Sequence, residues 1–105
     1  MVADLPWFLS MNLILLSSSY SRLGRSQEAL ASAQEAVTLA RNLARISPKE
    51  KELLAGHLTS LASCFSDVGQ LENALKTSLE AVQLSRSMAQ RSPKGQEMLG
   101  DALYS

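Results

Sequence analysis

Apolar residues recur every three or four positions along almost the whole chain, and glycine or proline interrupts them at intervals of 21 to 24 residues. This spacing is typical of amphipathic helices, and no stretch shows the alternation of a strand. The pattern predicts an all-α fold of about five helices. Their expected positions are residues 7–22, 26–46, 49–67, 71–91 and 94–104.

The chain also repeats itself with a period of 45 residues. When residues 13–60 are compared with residues 58–105, 20 of 48 positions are identical. Internal repetition at such a period indicates a stacked helical array. We expect a single domain, with one repeat over about 5–47, a second over about 48–92 and a partial third over about 93–105.

The interruptions have separate structural roles. Gly24 and Gly69 follow a helix and can adopt the left-handed conformation that closes it, so each pair of helices is expected to fold back antiparallel. Pro48 suits the first turn of the next helix. Ser47 is predicted to cap that helix and to form a capping box with Glu50, whereas Gly95 breaks the box in the second copy.

The positions of the small, aromatic and glycine residues resemble the tetratricopeptide repeat. The residues that carry this resemblance are Leu16, Ser17, Tyr20, Gly24, Ala29 and Ala36, and again Leu61, Ala62, Phe65, Gly69, Ala74 and Ala81. The common repeat has a period of about 34 residues, so the chain is similar to the longer repeats of kinesin light chains and of arrays attached to bacterial and fungal signal-transduction ATPases. The resemblance implies antiparallel helix-turn-helix units stacked as a fragment of an α-solenoid.

In function, the resemblance implies a non-catalytic protein-interaction module within a larger scaffold or signalling protein, with a concave groove for a protein or peptide partner. The groove-facing offsets of the family fall on Met11, Ile14, Leu15, Ser18, Ser21 and Arg22, and on Gly56, Thr59, Ser60, Ser63, Ser66 and Asp67. Serine and threonine stand where some members clamp a terminal carboxylate with lysine and asparagine, so that clamp is not expected. The alternative is that these residues form a solvated helix face.

Charge and cysteine content limit the possible partners and compartments. Ten basic residues balance ten acidic ones, so the footprint of a nucleic-acid binder or of a protein on anionic lipid is missing. The single cysteine, Cys64, fits the reducing cytoplasm. The apolar run from Trp7 to Leu16 is too short to span a bilayer, and Asp4 precedes it without any lysine or arginine, so it is predicted to be a helix of the fold.

No catalytic, metal or cofactor constellation is evident, and an enzyme is not expected. His57 and Cys64 are the only histidine and cysteine, and on one helix they would stand about 10 Å apart along the axis. Cys64 is interpreted as a small packing residue, and His57 as a polar surface residue. Trp7 and Phe8 are interpreted as cover for the core, with an exposed anchor for a partner as the alternative.

A second hypothesis is a helical bundle whose partner is itself. Large apolar residues near the end of the sequence would form its self-association surface: Met98, Leu99, Leu103 and Tyr104. Exposing each of them would forgo roughly 1.5–3 kcal/mol of burial. The chain is therefore expected to be a homo-oligomer or a piece of a longer array.

Overall fold

A computed structural model describes residues 4–91, and these form two helical pairs. Its four α-helices are α1 (Asp4–Arg22), α2 (Ser26–Ile46), α3 (Lys51–Asp67) and α4 (Leu71–Arg91). No strand occurs between residues 4 and 91, which confirms the all-α prediction. The predicted helix at 94–104 lies outside the described residues. Within residues 4–91, none of the helices has the length and apolar character needed to cross a bilayer.

Each helical pair closes through the same glycine turn. Gly24 and Gly69 have φ angles of 77° and 82°, in the left-handed region that the sequence predicts for them. The amide after each glycine donates to the carbonyl of the aromatic residue five positions earlier, Arg25 to Tyr20 and Gln70 to Phe65, both at 2.9 Å. The two turns thus satisfy the carbonyls at the helix ends in the same way.

The connection between the pairs differs from its prediction. Ser47 is extended, at φ −133° and ψ 106°, and its side chain makes no capping hydrogen bond, so the predicted capping box with Glu50 is wrong. Pro48 starts a short 3-10 helix, Pro48–Glu50, in which the Glu50 amide donates to the Ser47 carbonyl at 2.9 Å. The backbone of this turn takes the place of the side-chain cap.

The core lies mainly between α2 and α3. Ala33 and Ala40 are fully buried on α2 and Leu58 is fully buried on α3. Alanines on α2 let the two helices approach closely, and leucines of α3 fill the space beside them. The first helical pair therefore packs on the second mainly through α2 and α3.

Candidate functional site

A polar cavity of about 260 Å³ lies between α1 and α3, the helices expected to line a groove. Its lining residues are Ser17, Ser18, Ser21, Arg22, Ser60, Ser63 and Cys64. The structure therefore brings together Ser18 and Arg22 of the first repeat with Ser60 and Ser63 of the second. We refer to Ser18, Ser21, Arg22, Ser60 and Ser63 as the serine groove.

The other predicted groove residues occupy α1 and α3 but do not line this cavity. Met11 and Ile14 are half-buried, and Leu15 is exposed, all on the preceding turns of α1. Thr59 is exposed on α3, and its hydroxyl donates to the carbonyl of Ala55 at 3.1 Å. Exposed Asp67 stands 3.5 Å from the Ser21 hydroxyl, which donates to it across the two helices.

The hydroxyl groups of the serine groove retain capacity for hydrogen bonds. Those of Ser18 and Ser63 have no hydrogen-bond partner within residues 4–91, and both side chains are exposed. The Ser60 hydroxyl is 3.5 Å from the carbonyl oxygen of Gly56, at the edge of bonding distance. Arg22 has no ion-pair partner in the described part of the chain, so its guanidinium adds free donors at the end of the groove.

Two buried side chains, Ser17 and Cys64, form the floor of the groove. The Ser17 hydroxyl donates to the carbonyl oxygen of Ala29 on α2 at 2.8 Å. Its single proton is used there, so the thiol of Cys64, at 3.3 Å, must donate to the Ser17 oxygen. Cys64 is free and buried, as expected for a packing residue. The two contacts hold α1 against both α2 and α3.

His57 is buried on α3, so its prediction as a surface residue is wrong. It is only 4% exposed, whereas a polar surface position was expected. Its Nε2 atom lies 3.2 Å from the Ser10 oxygen, and the Ser10 hydroxyl donates to the Trp7 carbonyl at 2.9 Å. Ser10 can therefore only accept, which places the imidazole proton on Nε2. Burial lowers the pKa of His57 because it disfavours the charged ring.

Trp7 fits the interpretation of the aromatic pair as cover for the core, and Phe8 fits the alternative of an exposed side chain. Their rings meet edge to face, with centroids 5.3 Å apart. Trp7 is half-buried and lines a cavity of about 270 Å³ with Leu53 of α3 and residues of the preceding 3-10 helix. Phe8 is exposed. Trp7 therefore covers the end of the fold, whereas Phe8 is left available for contact.

An ion pair that was not predicted joins the second helices of the two repeats. Arg41 of α2 and Glu80 of α4 meet through two hydrogen bonds, the longer one at 2.8 Å between Nη2 and Oε1. Arg41 also lines a cavity of about 600 Å³ between α2, α3 and α4. The signal of the ion pair in the sequence is the identity of Arg41 with Arg86 and of Glu35 with Glu80 at the 45-residue period.

Two further predictions concern self-association and metal binding. The proposed self-association residues Met98, Leu99, Leu103 and Tyr104 lie beyond the described residues. Between residues 4 and 91, no group of three His, Cys, Asp or Glu side chains is placed to hold a metal ion.

Comparison with known families adds two matches. Residues 12–43 match the family model of the tetratricopeptide repeat. Residues 44–92 match the family model described as anaphase-promoting complex subunit 5, which is also a helical repeat of that type. No curated protein and no solved structure matches the chain significantly. Each matched stretch contains most or all of one helical pair.

Proposed function

The chain carries a tetratricopeptide repeat at residues 12–43, and from this premise we propose that it is a non-catalytic module that binds a peptide in the serine groove. Repeats of this type are in general interaction modules without catalytic activity. The observation that supports this use of the groove most directly is the convergence of Ser18 and Arg22 with Ser63 from the neighbouring repeat around one open cavity.

The chemistry of the groove favours an extended, polar segment with small side chains. Free hydroxyls can donate to or accept from a peptide backbone, and short side chains let that backbone approach the helices closely. Arg22 offers a charged donor to a carbonyl or carboxylate, whereas Asp67 beyond it disfavours a strongly acidic segment. The cavity holds only a few residues of such a segment, so moderate affinity is expected.

A larger assembly is the expected context. The second half of the chain matches a family named for a subunit of a multi-protein complex. We propose that this module likewise serves within a larger scaffold or signalling protein.

The groove can be tested with peptides selected from a random display library on the wild-type chain. Ser63→Arg places a long charged side chain in the cavity, because the small hydroxyl it replaces is exposed there. We expect at least a tenfold loss of affinity for a selected peptide, measured by fluorescence anisotropy, which corresponds to about 1.4 kcal/mol of binding free energy.

The matched control is Gln83→Arg, which adds the same side chain at an exposed position of α4. It should bind the selected peptide like the wild type, and both variants should keep the helical circular dichroism of the parent. Equal binding by Ser63→Arg and Gln83→Arg would place the peptide elsewhere and contradict the groove.

Self-association is the second candidate function. It is favoured by exposed leucines on the two outer helices, among them Leu9 and Leu16 on α1 and Leu75 on α4. A large exposed patch of apolar side chains is unusual in a protein that acts alone, and it often marks a surface that binds another protein.

A further inference from the structure

The face of α1 that carries exposed leucines is equivalent to a buried face of α3. Leu54 and Leu61 of α3 pack in the core with α2 and are 8% and 7% exposed. One period earlier, Leu9 and Leu16 occupy the same positions on α1, and they are 47% and 43% exposed. We call the surface of Leu9, Leu13 and Leu16 the head face.

The opposite relation holds between α2 and α4. Leu30 and Val37 are 6% and 4% exposed on the side of α2 that faces α3. Their equivalents on α4, Leu75 and Val82, are 61% and 45% exposed. We call the surface of Leu75, Ser78, Val82 and Ser85 the tail face.

The sides of α4 and α2 that pack within their own pairs are covered to the same extent. On the side that packs within its own pair, Ala81 of α4 is buried like its equivalent Ala36, and Thr77 is buried like Ser32. The exposure of the tail face therefore does not come from loose packing of α4 on α3: within residues 4–91 it is confined to the side of α4 that no described helix faces. The head face and the tail face are the two halves of the contact that α2 and α3 already make.

Charge at the two ends is complementary in the same register. Arg41 of α2 pairs with Glu80 of α4 across the inner contact. One period later Arg86 has no ion-pair partner within residues 4–91, and one period earlier neither has Glu35. A second helical pair docked on the tail face in this register would bring its own Glu35 to Arg86.

We propose that two copies of this chain associate head to tail. The tail face of one copy packs on the head face of the next, as α2 packs on α3, and Arg86 of the first pairs with Glu35 of the second. This inference rests on the second candidate function and specifies its surface. Because the two faces differ, the contact is heterologous, and each dimer keeps one free head face and one free tail face for further copies.

The tail face favours a reversible contact over a permanent one. Ser78 and Ser85 stand where α2 has the fully buried Ala33 and Ala40. Serine is small enough to allow close approach of a helix, but its hydroxyl loses water when it is covered. A tail face that contains serine therefore costs less free energy to expose to water than one built from alanine and leucine alone.

The test blocks each face separately in the full chain. One variant carries Leu9→Glu with Leu16→Glu on the head face, and the other carries Leu75→Glu with Val82→Glu on the tail face. By sedimentation velocity at micromolar concentrations, the wild type should grow in mean mass with concentration, and each variant alone should remain a monomer. An equimolar mixture should form a one-to-one dimer, because each variant supplies the face that the other lacks.

Charge reversal tests the register with smaller changes. Arg86→Glu alone and Glu35→Arg alone should each weaken association severalfold, and the two together in one chain should restore it. Glu35 lies six residues before Arg41 and Arg86 six after Glu80, so the two are about 18 Å apart along the helices and cannot pair within one copy. Restoration therefore reports a contact between copies.

Three results would overturn the proposal. A wild type that stays monomeric at every concentration removes self-association altogether, and would mean that another segment or another protein covers these faces. Self-dimerisation of the head-blocked variant would indicate a symmetric contact between tail faces. Failure of the double charge reversal to restore association would rule out this register. None of these results bears on peptide binding by the serine groove, which Ser63→Arg tests independently.

Discussion

Buried polar side chains join α1 to its neighbours at two places, and each hydrogen has one assignable acceptor. The Ser17 hydroxyl donates to Ala29 and accepts from Cys64, and the Ser10 hydroxyl donates to Trp7 and accepts from His57. No buried side-chain nitrogen or oxygen in the described region lacks a partner. Such contacts fix the position of α1 more narrowly than leucine packing alone, because a hydrogen bond tolerates little displacement.

The buried histidine makes stability depend on pH. In the unfolded chain His57 titrates near its ordinary pKa of about 6.5, whereas burial lowers its pKa in the fold. Below pH 7 the unfolded chain therefore binds the proton first, and the free energy of unfolding should fall as the solution is acidified. The loss should level off below the pKa of the folded state. Urea denaturation at pH 7.0 and pH 5.5 measures it.

His57→Gln is the control for this prediction. It removes the only histidine, and the carboxylates titrate mostly below this window, so its free energy of unfolding should change less between the two pH values. A wild type that gains stability on acidification would show that the buried ring is charged in the fold.

The burial of His57 could not be predicted from its own position in the repeat. Its equivalent in the first repeat is Asn12, which is exposed. The imidazole is covered because Ser10 on α1 leaves room for it, and that neighbour appears only when the relative position of the two helices is known. Cys64 was easier to assign, because a small apolar side chain on a helix is buried more often than not.

At the scale of elements, the helix bounds were largely predictable. Apolar spacing and the two glycines predict α2 at 26–46 and α4 at 71–91, and the structure places them there. The start of α3 was not predictable in detail. A serine before a proline is a frequent capping signal, but the chain turns at Pro48 with a 3-10 helix that leaves the Ser47 side chain unused.

Alanine substitutions should have opposite effects on stability at the two turn glycines and at Gly56, which lies inside α3. Gly24→Ala and Gly69→Ala force alanine into the left-handed region and should each cost about 1–2 kcal/mol. Apart from the two adjacent residues, no atom lies within 4 Å of the added Cβ at either site, so the cost comes from the backbone conformation. Gly56 lies inside α3, where alanine also meets open space, and Gly56→Ala should stabilise the chain by about 0.5–1 kcal/mol.

Urea unfolding with an unchanged slope would measure all three substitutions. A similar loss at Gly56 would mean that α3 is disturbed by any side chain on that face. A neutral effect at Gly24 or Gly69 would mean that the turn relaxes to another conformation when glycine is removed.

For the whole molecule, the two helical pairs depend on one another chiefly through the packing of α2 on α3, together with side-chain hydrogen bonds between α1 and α3 and one ion pair. α2 packs on α3, and no Cα atom of α2 lies within 8 Å of α4. Arg41 and Glu80 bridge that wider gap with their side chains. The repeat identities mark both residues in the sequence, but their partnership follows only from the way one pair stacks on the next.

The bridge between the pairs should contribute modestly and should depend on salt. The guanidinium of Arg41 lowers the pKa of Glu80, first through its hydrogen bonds and then through its charge. Both side chains remain nearly half exposed, so water and ions screen the interaction, and its coupling free energy should lie below about 1 kcal/mol. A double-mutant cycle of Arg41→Gln and Glu80→Gln, followed by urea unfolding at pH 7, measures this coupling.

Repeating the cycle at low and at high salt shows whether the coupling free energy comes from charge or from side-chain packing. Added salt should reduce the coupling, because the Debye length falls from about 10 Å at 0.1 M to about 3 Å at 1 M. The control is a cycle on Arg25 and Glu28, a pair at 2.6 Å at the start of α2, which can report only local helix stability. If the Arg41–Glu80 coupling were absent at low salt, the two pairs would be held together by the α2–α3 packing and the hydrogen bonds between α1 and α3. A pair of Arg86 with Glu35 of a second copy would then no longer be expected to set the register of docking.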